Sequence, residues 1–293
     1  MRMTFAKIQT ALLVFFLVSA AAAAFSVGFF GLRFGIEFTG GSILEVRYAG
    51  ERPAVSQVRD LAQNVDMGTL SIQPVGERGM IFKTRDLSEE EHAGLVSSLG
   101  QVEELRFESV GPAIGRELQN KALILTILAV LVVAAYIAFA FRRTAGGIFP
   151  WHWSGAALVS SLCYVLIPLG VFAALGFFTG VEITIPVLVA LLTVVGYAIN
   201  DTVVVFDRIR ENLAKRSGFD FQDITRRSLK ETWFRSFSTS FTVLLVLAAL
   251  YAFGGETLRG FSLMLILGVV TGTFASLFVG PALLVRWRNK AGD

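Results

Sequence analysis

Within the long apolar stretch "VGYAINDTVVVFDRIREN", residues 195–212, two adjacent side chains are suited to chemistry: Asn200 and Asp201. An aspartate set in hydrocarbon can bind and release a proton, but a charge near the bilayer centre costs about 2.5–3.5 kcal/mol on insertion scales. It therefore needs a partner or water inside a bundle. Arg235, in "RSFSTSFT", is the matching cation, and its long side chain can reach inward. On helical spacing Arg235, Thr239 and Thr242 share one face, with Ser236 and Ser240 beside it. That arrangement predicts a water-lined proton path, with Asn200 as a further polar support. Burial favours the neutral acid and a nearby cation favours the carboxylate. A bundle that moved Arg235 toward and away from Asp201 would thus load and unload a proton in turn. One charge moved through 100 mV is worth about 2.3 kcal/mol, so several transfers could drive a sizeable movement. A second reading stays open, in which Asn200 and Asp201 only join helices through buried hydrogen bonds.

Little else in the chain suggests reactivity. There is no Walker loop, no metal-ligand spacing and no nucleophile triad, so an enzyme, a bound metal and a cofactor are not expected. Cys163 is the single cysteine and has no partner within the chain. His92, behind three glutamates, reads as an exposed polar residue, and Glu89–Glu91 as the acidic first turn of a helix. The basic segment 208–230 reads as topological charge that could also face acidic lipid, and not as a nucleic-acid surface.

The elements that must hold Asp201 are membrane helices. Hydrophobic residues make up 54% of the 293 and charged residues 17%, against about 25% charged in soluble domains. Six apolar runs are long enough, or nearly so, to cross about 30 Å of hydrocarbon: 10–30, 122–141, 155–178, 184–206, 237–253 and 261–285. "GGETLRG" makes the last two an antiparallel hairpin. Basic residues gather on one side of an alternating six-span topology: Arg2 and Lys7, Arg142 and Arg143, the loop 207–235, and Arg286, Arg288 and Lys290. Both termini are therefore expected in the cytoplasm. Residues 31–120 carry nine Lys or Arg against fourteen Asp or Glu, net −5, and belong outside. The start of the chain could alternatively be a cleaved signal ending near "SAAAAAF", although its apolar run continues to Phe30. The chain thus divides into span one (1–30), an external domain (31–120), spans two to six (121–285) and a short tail (286–293).

Residues 42–110 read as strand, helix, strand, strand, helix, strand, with "GERG" as a hairpin turn and Ser88 with Glu91 as a capping box. This predicts an external α+β, ferredoxin-like (β-α-β-β-α-β) domain on a polytopic α-helical membrane protein. Gly35, Gly40 and Gly41 in "GIEFTGG" suit a tight turn after span one, with Glu37 solvated. Gly268, Gly272, Ser276 and Gly280 recur every four residues and predict a close helix contact. Pro281 predicts a kink.

Three of these stretches carry a resemblance. "GIEFTGG", "VGYAINDTVVVFDRIREN" and "RSFSTSFT", in a frame of six spans and one large external loop, resemble the SecD/SecF family of protein-export membrane proteins, in the RND superfamily. Glu37 stands where the family usually has Asp, and Phe237 where a Thr-like residue is commoner. The resemblance implies a heterocomplex with a SecD-like subunit in the bacterial cytoplasmic (inner) membrane. It implies work beside the SecYEG translocon with SecA on an exported, unfolded polypeptide, driven by a proton or sodium gradient. The family's intramembrane acid falls on Asp201 and its partnering arginine on Arg235. The rival readings are a self-sufficient RND exporter of solutes or lipids, a bracing subunit without transport and, more weakly, an ion channel.

Overall fold

The structure, a computed structural model, describes residues 2–61, 68, 70–142, 149–215 and 220–291. The expected end of the first domain helix at 62–65, Thr69, Arg143 and Arg216 lie outside the described residues. In chain order the elements are α1 (Arg2–Phe30), α2 (Ile36–Thr39), β1 (Gly41–Tyr48), α3 (Val55–Leu61), β2 (Ser71–Val75), β3 (Gly79–Thr84), α4 (Glu89–Ser98), β4 (Val102–Val110), α5 (Pro112–Ala140), α6 (Pro150–Thr179), α7 (Ile185–Lys215), α8 (Phe221–Phe253) and α9 (Glu256–Ala291). Two compact units result: Met1–Arg33 with Ile124–Asp293, and Phe34–Leu123.

The first unit is a helical bundle. Six helices among the described residues, α1 and α5 to α9, are long and apolar enough to cross a membrane, and α9 is the most enclosed while α5 is the least. Small residues explain why α9 sits at the centre. A Cβ on Gly268 would stand 2.1 Å from Val194, one on Gly272 would stand 2.7 Å from Ala198, and one on Gly280 would stand 2.9 Å from Phe206. Both series advance in steps of four in the same direction, so α7 and α9 run parallel with their backbones close, as small residues allow. Gly170 on α6 fits against Ala23 of α1 in the same manner, with 2.5 Å between its would-be Cβ and the Ala23 Cα. The helix α9 continues through Pro281 to Ala291.

Several helices outrun their apolar stretches. Helix α8 begins at Phe221, capped by Asp220, although apolar composition begins only at 237. Its polar first half still buries Phe221, Ile224, Thr225, Ser228, Leu229 and Thr232 at helical spacing. Of these, Phe221, Ile224 and Leu229 meet the extension of α7 in a core containing Phe206, Ile209 and Leu213 together with Phe141 and Trp153.

The second unit is a four-stranded sheet in the order β2-β3-β1-β4 with every neighbouring pair antiparallel. With α3 between β1 and β2 and α4 between β3 and β4, this is the split β-α-β arrangement that the sequence pattern predicts. Alternation along β1 sends Leu44, Val46 and Tyr48 into a core with Met80, Phe82, Val58, Leu95 and Leu99. The capping box forms, with the Glu91 N–H donating to Ser88 Oγ and the Ser88 N–H to Glu91 Oε2. Glu91 also pairs with Arg85. The Arg85 hydrogen bond, followed by that from the Ser88 N–H, holds the Glu91 carboxyl down at about 2.

Two expectations in this unit are corrected. His92 is not a freely exposed side chain: its ring stacks on Phe107 at 3.8 Å and lies 3.0 Å from Glu104 Oε2. Facing β4, it covers the sheet. Glu37 is not solvated either. It is half-buried, and its Oε2 is enclosed without a hydrogen-bond partner. The cause is local, because Ile36 and Phe38 on either side are both buried and draw the short α2 inward. The glycines around it are required by geometry. Gly40 and Gly41 have φ of 80° and 132°, and a Cβ would come within 2.7 Å of Pro112 Cα and 2.6 Å of the Thr84 carbonyl oxygen, respectively.

Candidate functional site

Helix α7 presents Asp201 to the bundle because it shares a stripe with Val194, Ala198, Val205 and Ile209, all buried. Asp201 is 5% exposed, the only charged residue that is buried among the described residues, and its Oδ2 has no hydrogen-bond partner. Ser236 and Arg235 of α8 are its polar neighbours. Yet among the described residues Asp201 makes no ion pair, and the fully buried Ser236 Oγ has no bonding partner of its own. An unpaired acid beside an unpaired hydroxyl is a costly arrangement for a core. It is a suitable one for a group that must change protonation.

The residues expected to line a path are split between two faces of α8. Ser236 and Ser240 are buried toward α7 and α9, whereas Arg235, Thr239 and Thr242 lie on the exposed side. Ser240 shares hydrogen bonds with Thr273 of α9 at 2.6 Å and with Tyr197 of α7 at 3.2 Å. Hydroxyl groups of three helices thus meet one turn from Ser236. Thr239 and Thr242 instead donate back into their own helix, to the Arg235 and Ser238 carbonyl oxygens among others. Asn200 is exposed, on a face with Val189, Thr193 and Gly196. It is a neighbour of Asp201 in sequence only, because consecutive helical residues point about 100° apart. The ladder Gly268, Gly272, Ser276 and Gly280 packs behind Asp201 and supplies shape rather than chemistry. Gly35, Glu37, Gly40 and Gly41 lie in the other unit.

Arg235 lines a cavity of about 270 Å³ together with Val204, Asp207, Arg208, Glu211, Glu231 and Thr232. This polar cluster is not apparent from the sequence, where the segment 208–230 reads as topological charge. Asn212, buried, donates to Ser228 Oγ and Glu231 Oε2, each at 2.9 Å. Arg208 reaches the same Glu231 oxygen at 2.7 Å, and Arg227 reaches its Oε1 at 2.8 Å. The network ties the extensions of α7 and α8 together. The signal in the sequence was the continued helical spacing of Val205, Ile209, Asn212 and Leu213 past the charges. No group of metal-ligating side chains occurs among the described residues.

A bundle of six helices long and apolar enough to cross a membrane, with one buried acid facing a hydroxyl cluster and a small α+β domain after the first helix, defines a polytopic membrane protein. Residues 92–290 match the family "Protein export membrane protein SecD/SecF, C-terminal", and residues 25–50 match "SecD/SecF GG Motif". The Protein translocase subunit SecF of Thermobaculum terrenum is 41% identical over 89% of this chain and 86% of its own length. That of Desulfurispirillum indicum is 36% identical over 98% and 92%. The crystal structure of SecDF, a translocon-associated membrane protein of Thermus thermophilus, superposes with a TM-score of 0.83 at 33% identity, covering 97% of this chain and 38% of that one. SecDF in a super-membrane-facing form gives 0.66 over the same shares. The chain belongs to the SecD/SecF family of protein-export membrane proteins, in its SecF branch.

Proposed function

We propose that this chain is the SecF-type subunit of a complex that assists protein translocation across the bacterial cytoplasmic membrane, and that Asp201 carries the coupling ion. The observation that bears most weight is the buried Asp201 Oδ2 without a partner, beside Ser236 and within the electrostatic reach of Arg235. In this reading Asp201 binds a proton (or a sodium ion) from one side and yields it to the other as α8 shifts against α7. The hydroxyls of Ser236, Ser240, Thr273 and Tyr197 orient water along the way. The partners are a SecD-like subunit and the SecYEG translocon with SecA, acting on an unfolded exported chain. Support for the first comes from the Thermus SecDF chain, of which this one matches 38%. The two SecDF forms, matched at 0.83 and 0.66, support a working cycle that changes shape. Both termini lie in the cytoplasm, and unit Phe34–Leu123 lies outside.

The test combines assembly with gradient dependence. Cells whose only copy carries Arg235→Met are assayed for co-purification of the SecD-like chain and for export of a reporter with and without an uncoupler. Normal assembly with export that no longer responds to the uncoupler supports the reading. Export that stays as gradient-dependent as in the parent removes Arg235 from the mechanism. A homo-oligomer without a SecD-like chain would favour the self-sufficient exporter.

A further inference from the structure

Helix α8 carries a continuous stripe that the ion-coupling reading does not use. Trp233, Phe237 and Phe241 stack in sequence with near-parallel rings, at centroid distances of 6.4 and 6.3 Å and interplanar angles of 9° and 11°. A second stack on α9, Phe274 on Phe278 at 6.3 Å, adjoins it, with Phe278 6.0 Å from Trp233. Trp233, Phe237 and Phe241 are 43%, 50% and 52% exposed, although each is large and apolar. Together they form an aromatic gutter along the α8–α9 contact.

One turn toward the α8 N-terminus, in the same helical register, the gutter ends at Lys230 and Arg226. These two line a cavity of about 460 Å³ with Arg227, Asp223 and Glu231. Three cations face two carboxylates there, and the Glu231 charge is drawn off further by Arg208 from the neighbouring cluster. Lys230 is exposed. From Lys230 to Phe237, where the apolar run begins, is roughly 10 Å along the axis at 1.5 Å per residue, enough to cross one polar headgroup layer of about 5–7.5 Å. Trp233 lies between them, at the level where Trp concentrates in membrane proteins.

The geometry points to a bound anionic phospholipid: its phosphate at Lys230 and Arg226, one acyl chain laid along Trp233, Phe237 and Phe241. Charge complementarity selects this occupant. A transmembrane partner helix would cover the aromatic gutter without needing the cationic end, and a free phosphate would need the cationic end without the gutter.

The test is native mass spectrometry of the full chain purified with its co-purifying partner, titrated with phosphatidylglycerol or phosphatidylcholine of identical acyl chains. The site requires preferential binding of phosphatidylglycerol. Lys230→Gln reduces that preference about fivefold, the effect of one basic residue at a lipid surface, while Lys230→Arg retains it. Phe237→Ala weakens the binding of both lipids, and inorganic phosphate does not displace them. Equal binding of the two lipids, or a preference that Lys230→Gln leaves unchanged, overturns the proposal. Displacement by inorganic phosphate, or loss of all lipid when the partner is present, also overturns it. Lys230 is solvent-exposed, so helical content should be unchanged in the variants and Asp201-dependent export is a separate readout.

Discussion

Adding one methyl group at Gly268 should loosen the contact that positions Asp201. A Cβ there falls 2.1 and 2.5 Å from the two Val194 Cγ atoms and 2.8 Å from its Cβ, where carbon atoms prefer about 3.5–4.0 Å. Val194 is fully buried and short, so it cannot swing aside. The helices α7 and α9 must instead separate by roughly an ångström. Overpacking of this kind costs about 1–3 kcal/mol, or about a 5- to 150-fold change in the folding equilibrium. Reversible unfolding of the purified protein from mild detergent into dodecyl sulfate, followed by tryptophan fluorescence, measures it. Gly196→Ala is the control, since nothing lies within 4 Å of its Cβ position. Val194→Ala removes the two worst contacts, so the Gly268→Ala/Val194→Ala pair should cost less than the sum of its singles by at least about 0.5 kcal/mol. Equal stability of Gly268→Ala and Gly196→Ala would show that the α7–α9 contact is not as close as described.

Gly40→Ala should destabilise the small domain by several kcal/mol, because it imposes φ of 80° on a residue whose Cβ would meet Pro112 at 2.7 Å; Gly50→Ala, with open space around it, should be near neutral in the same thermal melt. Ser88→Ala removes the cap of α4 and should cost about 1 kcal/mol, seen as faster amide exchange in the first turn of that helix. Glu91, held at about 2 chiefly by Arg85, has a folded-state value below its ordinary 4.5. Its contribution to stability is therefore present above about 4.5 and is lost as pH falls toward about 2, and a carboxyl NMR titration of Glu91 that moved near 4.5 would contradict the Arg85 pairing. Ser240→Ala should cost only about 0.6 kcal/mol, the usual worth of a hydrogen bond between membrane helices, because Thr273 keeps its bond to the Val269 carbonyl oxygen.

The membrane helices and the strand order were legible because both follow from periodicity and composition, which a single chain displays in full. The glycine ladder of α9 was legible too, since only small residues permit the approach it makes. The orientation of individual polar residues was not. Asn200 and Asp201 look equivalent in the sequence, and which of them faces the bundle depends on where Ala198 and Phe206 meet α9. Likewise, Thr239 and Ser240 carry the same hydroxyl chemistry, but only Ser240 meets Thr273. Glu37 was misread because its own polarity was weighed and the pull of Ile36 and Phe38 was not. The Asn212–Glu231–Arg208 network needed two helix extensions to be antiparallel neighbours, a fact that no local pattern states.

The most direct test of the central claim is export of a reporter protein in cells whose only copy carries Asp201→Asn, with Asp201→Glu beside it and membrane abundance and partner co-purification checked in the same cells. The account expects the Asn form to assemble normally and to lose gradient-dependent export, while Glu retains part of it. Normal gradient-dependent export by the Asn form would mean that the Asp201 carboxylate carries no ion.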